Sequence, residues 1–212
     1  MILLPMFWLS HNFSWRSITY ALWMVSLGVL SVALSSLFNN SLLEYLGYGL
    51  SIVALLLYFY QMSLIYKTRV RVEKDIYFKS AIFAYSSMLI ALLLGIIYLI
   101  EPSQKLLLLI GWITIFGYVT FMIIGHLYKI VPFLVWYERF SPFVGKKKVP
   151  MLADMLPKRS AQIQYLFSIS GIVVGFVGIL IQNNQCFHAG VSFLFLGSIF
   201  VFKDLIYMIR FK

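Results

Sequence analysis

The side chains that could do chemistry in this chain of 212 residues are three histidines, one cysteine and seven carboxylates. A haem held between helices needs two axial imidazoles at matching depth, each with a partner that fixes its tautomer. Only His11 and His126 fall at the same side of the hydrophobic spans set out below, so they form the haem candidate pair, and His188 lies at the other side. The competing reading of each is an interfacial histidine bonded to water or lipid. There is no HExxH, no cysteine pair and no His/carboxylate cluster, which leaves zinc and non-haem iron without a ligand set. The single Cys186 excludes an intramolecular disulfide and reads as a small apolar residue.

Carboxylates are equally sparse. Glu44 and Glu101 sit at outer ends of spans. Lys203 and Asp204 lie towards the inner end of the last span, where the lysine can snorkel and Asp204 is expected to pair with it or with another basic group. A proton pump or ion-coupled carrier usually places an ionisable group near the membrane midplane. The sequence places none there. A second constellation is His126 with Lys129, three apart on one helix face, with Tyr128 adjoining and Trp136 further on. A cation, an imidazole and aromatics could grip an anionic headgroup, a quinone ring or a haem propionate. The same set also describes an aromatic belt with a snorkelling lysine. Lys146, Lys147 and Lys148 read as a topology determinant that meets anionic lipid headgroups.

The elements that must position these residues are membrane helices. Hydrophobic residues make up 62% of the chain and charged residues 11%, against about 25% charged in soluble domains. About 20 apolar residues cross the ~30 Å hydrocarbon core. Six such stretches are expected: about 17–38, 46–66, 80–100, 106–131, 162–181 and 187–208, in one transmembrane domain covering 1–212. Loops 67–79 and 132–161 carry the basic residues. Within the second of these, Pro132 to Phe140 mixes Phe133, Trp136, Tyr137 and Phe140 with Glu138 and Arg139, which suits an interfacial helix after span four. The fold class is therefore all-α, a polytopic transmembrane helix bundle.

Charge sets the expected orientation. With loop 67–79 in the cytoplasm, alternation puts every one of the 17 basic residues inside or at the inner interface except Lys105. Both termini are then cytoplasmic, and the bacterial cytoplasmic (inner) membrane is the expected location. The net charge of +10 is thus accounted for by lipid-facing loops, and nucleic acid is not an expected partner. In span five Gly171, Gly175 and Gly178 are spaced for close helix approach, either within this subunit or across a dimer. No repeat between the halves is legible, so an inverted-repeat transporter finds no support.

The string from Gly111-Trp112 through Tyr128 to Tyr137 (YKIVPFLVWY), Ser141-Pro142 and Val149-Pro150-Met151-Leu152 resembles uncharacterised bacterial polytopic membrane proteins distantly similar to haem–copper oxidase subunit I. The match is centred on residues 111–152, about a quarter of the chain. The oxidases hold haem and copper with several transmembrane histidines, which this sequence lacks, so the resemblance implies a respiratory or haem-related setting and assigns no ligand. The opening MILLPMFWLS is also similar to the end of a preceding span in such proteins, so the chain is expected to correspond to a carboxy-terminal half. Three functions follow as expectations. The first is a non-catalytic subunit or accessory protein of a respiratory or haem-related system, with another membrane subunit as partner. The second is a small-solute transporter or channel using Tyr58, Tyr60, Ser86 and Ser87 as a polar path. The third is a haem b protein using His11 and His126.

Overall fold

In the computed structural model the described residues are 10, 14–70 and 75–211. They form six long helices and, among the described residues, no strand. The helices are α1 (Trp15–Phe38), α2 (Ser41–Lys67), α3 (Ile76–Ile100), α4 (Gln104–Arg139), α5 (Lys158–Leu180) and α6 (Asn184–Ile209). Each is long and apolar enough to cross a membrane, so this is an all-α, multi-pass integral membrane protein. Most begin earlier than hydropathy alone places them, because polar caps add a turn. The side chains of Ser14, Asn40, Asp75, Ser103 and Asn183 each accept a backbone N–H in the first turn of the helix that follows.

The chain divides into two compact units, Met1–Glu73 and Lys74–Lys212. The first is a helical hairpin. Ala21, Gly28 and Ser35 on α1 are buried, as are Gly47, Ala54 and Gln61 on α2, and each set repeats at seven residues. A seven-residue stripe of small side chains keeps two helices facing each other along their length and lets the backbones close up. A Cβ added at Gly47 would lie 2.7 Å from the Gly28 carbonyl oxygen. The first unit also holds Ser10, whose hydroxyl bonds that of Thr68 at 2.7 Å. The rest of the opening stretch, His11 included, falls outside the described residues.

The second unit is a four-helix bundle of α3 to α6. Its α5–α6 hairpin uses the same device, with Ala161, Ser168 and Gly175 and then Gln164, Gly171 and Gly178 on α5, and Gly190, Gly197 and Asp204 on α6. The two hairpins share one register. The first-helix cap is Ser14 or Pro157 and the second-helix cap is Asn40 or Asn183, 26 residues on in each. The residue before each asparagine is left-handed, Asn39 at φ 49° and Gln182 at φ 55°. The same closing bond follows, Asn40 N–H to Ser35 O at 3.1 Å and Asn183 N–H to Gly178 O at 2.9 Å. Counted from the asparagine, the seventh, fourteenth, twenty-first and twenty-fifth residues are buried in both: Gly47, Ala54, Gln61 and Ile65; Gly190, Gly197, Asp204 and Met208. The repeat is one of size class and cap geometry, with almost no identical letters.

Helix α4 departs from its expected form in two ways. Ile113–Thr120 is π-helical. The buried residues there are Ile113, Gly117, Phe121 and Gly125, four apart. An α-helix would turn such a row by about 40° at each step, whereas the wider π turn keeps it facing the bundle. Secondly, the segment expected as a separate surface helix continues from α4 itself. Pro132 lies inside the helix and is buried, and helical geometry persists to Arg139. The proline costs the Tyr128 carbonyl its usual donor but stays in a packed environment. At 36 residues α4 reaches about 50 Å, beyond the ~30 Å core, so its aromatic last turns project past the hydrocarbon.

Candidate functional site

Apart from Glu101 and Lys105, the charged side chains of the second unit gather at one end, where α4 and α6 finish and α3 and α5 begin. The N-terminal cap of α3 places Asp75 there, with Oδ1 accepting the Phe78 N–H at 2.9 Å. Its other oxygen meets the Lys129 ammonium of α4 at 2.5 Å, with the two side chains 27% and 15% exposed. Lys129 also stands 5.9 Å from the ring centre of Tyr77. One turn back on α4, His126 packs edge-on against the same ring at 5.2 Å. Its Nδ1–H donates to the Met122 carbonyl at 2.7 Å, which fixes the tautomer and leaves Nε2 as the basic nitrogen.

The neighbouring face of α4 builds a drier set. The Tyr128 hydroxyl donates to Asp204 Oδ2 on α6 at 2.7 Å, and both residues are 1% exposed. On α5, Gln164 Nε2–H donates to the Ser168 hydroxyl at 2.8 Å. Among the described residues, three buried oxygens here find no partner: Asp204 Oδ1, Gln164 Oε1 and Ser160 Oγ. Tyr128, Ala161 and Met208 pack together around this point, with Leu156 and Leu205 against them.

Asp204 is the functional candidate that sequence reading passes over. Among the described residues, neither Lys203 nor another base pairs with Asp204. Adjacent helical residues point about 100° apart, and Lys203 is exposed beside the Phe200 ring while Asp204 turns inward. The detectable signal was spacing: Asp204 falls seven beyond Gly197 and fourteen beyond Gly190, on the stripe that faces α5.

The other expected residues are placed as follows. Tyr128 is enclosed by α4, α5 and α6 and so is withdrawn from any surface that meets headgroups. Lys129 is engaged by Asp75 instead of reaching outward alone. Trp136 Nε1–H donates to the Pro150 carbonyl at 2.9 Å, tying the end of α4 to the loop that follows. Lys146, Lys147 and Lys148 are exposed in that loop, Lys147 lying 5.6 Å from the Phe143 ring centre. Gly171, Gly175 and Gly178 line the α5–α6 seam, where added Cβ atoms would meet the Gly190 carbonyl, the Trp112 ring and the Phe187 backbone respectively. Trp112 Nε1–H also donates to the Ile172 carbonyl at 3.0 Å, so one indole locks α4 to α5.

The described residues do not by themselves make a bis-imidazole haem site. His126 is suitably oriented by its Nδ1 bond, but His11 lies outside them. Among the described residues no three His, Cys, Asp or Glu side chains converge. The residues expected for a transporter path are divided between the two units. Tyr58 and Tyr60 belong to the first unit and Ser86 and Ser87 to the second, where Ser86 is exposed and Ser87 is buried close to Gly117. No protein-family model matches the chain, and neither a curated protein nor a solved structure matches it.

Proposed function

We propose that this protein is a non-catalytic subunit or accessory protein of a respiratory or haem-related system in a bacterial inner membrane, with its polar end and both termini on the cytoplasmic side. The supporting observation is what the string YKIVPFLVWYER does. Four of the six polar residues in it tie α4 to other parts of the unit, while Tyr137 and Glu138 stay exposed. Tyr128 bonds α6 through Asp204, Lys129 bonds the start of α3 through Asp75, and Trp136 bonds the following loop at Pro150. Arg139 then donates to the Phe211 carbonyl beyond α6 at 2.8 Å. Pro132 and Val135 between them are buried. The string that carries the oxidase-like resemblance is therefore a structural hub, which suits a member of an assembly whose redox chemistry resides elsewhere.

The orientation rests on charge: the polar end adjoins the loop with Lys146 to Lys148, as short cytoplasmic loops do. Exposed lysines there and aromatic turns above them fit anionic headgroups. Mild-detergent purification of the tagged chain from its own membranes, followed by mass spectrometry, tests the role. A stoichiometric membrane subunit that co-purifies is the expected result. A chain that purifies alone, monodisperse and stable, removes the accessory role.

A further inference from the structure

The three partnerless oxygens at the polar end of the second unit stand close in register. Antiparallel pairing of α5 with α6 is fixed by Gly171 against Leu194, Ser168 against Gly197 and Gly178 against Phe187. Carried one heptad along, that register sets Asp204 level with Ala161. Ser160 and Gln164 are four apart on α5 and flank Ala161, in the same row as Ser168. Gln164 turns its Nε2–H to Ser168 and so presents its oxygen.

The matching hairpin shows what is missing. At the position equivalent to Asp204, Gln61 accepts the backbone N–H of the helix cap Ser14 at 3.1 Å. The equivalent cap here is Pro157, which has no N–H to give. Tyr128 satisfies Asp204 Oδ2 and aims Oδ1 away from itself. Charges nearby do not neutralise the carboxylate. On α4, Lys129 is held by Asp75; on α5, Lys158 and Arg159 are exposed; on α6, Lys203 is exposed. Among the described residues Asp204 makes no ion pair.

We infer that Asp204 Oδ1, Gln164 Oε1 and Ser160 Oγ form a binding site for one monovalent metal cation, sodium. All three ligands are hard oxygens, the donor type that alkali and alkaline-earth ions take. One carboxylate with two neutral oxygens matches a single positive charge, and a divalent ion would leave excess charge buried. One cation meets all three oxygens at once, whereas a proton on Asp204 Oδ1 reaches only one further acceptor. The inference is independent of whether the chain has a protein partner.

The test uses the full chain in nanodiscs at fixed pH. Thermal unfolding is compared in sodium, lithium, potassium and choline chlorides at equal ionic strength, with sodium NMR line broadening as the direct readout. A ligand that binds only the folded state raises Tm saturably. Sodium should do so relative to choline, Asp204→Asn should lose the response, and Gln164→Ala should raise the half-saturating concentration about tenfold. Equal Tm in sodium and choline overturns the site, as does a sodium response that survives in Asp204→Asn. Stability that follows pH and ignores sodium makes the ligand a proton and also overturns it. Should Asp204→Asn fail to fold, Ser160→Ala and Gln164→Ala decide, and unchanged half-saturation in both refutes the site.

Discussion

Removing one oxygen from Tyr128 tests whether the α4–α6 bond is energetically real. In Tyr128→Phe the ring keeps its packing with Ala161 and Met208, while Asp204 Oδ2 loses its donor. A buried acceptor deprived of its donor costs about 1–3 kcal/mol. Interhelical hydrogen bonds in membranes average only about 0.6 kcal/mol, with a maximum near 1.7. The residues here are both 1% exposed and so stand at the strong end, giving an expected loss of about 1–2 kcal/mol. Packing changes can mimic that number, so the assay is a double-mutant cycle in mixed micelles, unfolded reversibly by denaturant. Asp204→Leu removes the acceptor, and Tyr128→Phe should then cost about 1 kcal/mol less than it does alone. Additive losses, with coupling under about 0.3 kcal/mol, would refute the bond as a contributor.

Further perturbations address the seams and the loop. Gly190→Ala should destabilise by about 1–3 kcal/mol, because its Cβ would meet the Gly175 backbone, which cannot swing aside as a side chain can. Gly95→Ala, with nothing within 4 Å of the added carbon, should be neutral or slightly stabilising in the same unfolding assay. Trp136→Phe should leave the bundle intact but release the loop from α4, seen as faster tryptic cleavage at Lys146, Lys147 and Lys148. Lys129→Met should cost no more than about 1 kcal/mol, since the pair with Asp75 is partly solvated, and a larger loss would place it in a far drier site than its exposure shows.

Six spans were legible because length and hydropathy decide them, and the lipid leaves a chain few other options. The helix faces were not, since in a membrane the outer face is as apolar as the inner one and hydrophobic periodicity fades. What marks the inner face instead is residue size at seven-residue spacing, as in Ala21, Gly28 and Ser35 or in Gly190, Gly197 and Asp204. The same fading hid the repeated hairpin, whose copies share caps and small positions but few letters. The glycine row of span five was visible because glycine is the extreme of that signal. Asp204 sits beside the charged Lys203, yet its heptad position puts it inside. A proline reads as a stop, yet Pro132 is buried against the bundle, where packing offsets the lost bond and α4 carries on. The four-residue spacing from Ile113 to Gly125 was on view throughout, and it is the trace of the π-helical stretch.

The proposed role of this chain is to support redox chemistry carried out by a partner. A reduced-minus-oxidised visible spectrum, taken on the chain alone and on the material that co-purifies with it under mild detergent, tests that directly. Haem bands in the assembly and a flat spectrum from the isolated chain are the expected result. A Soret shift with sharp alpha bands from the chain alone, lost in His126→Ala, would contradict it and make this protein a haem carrier in its own right.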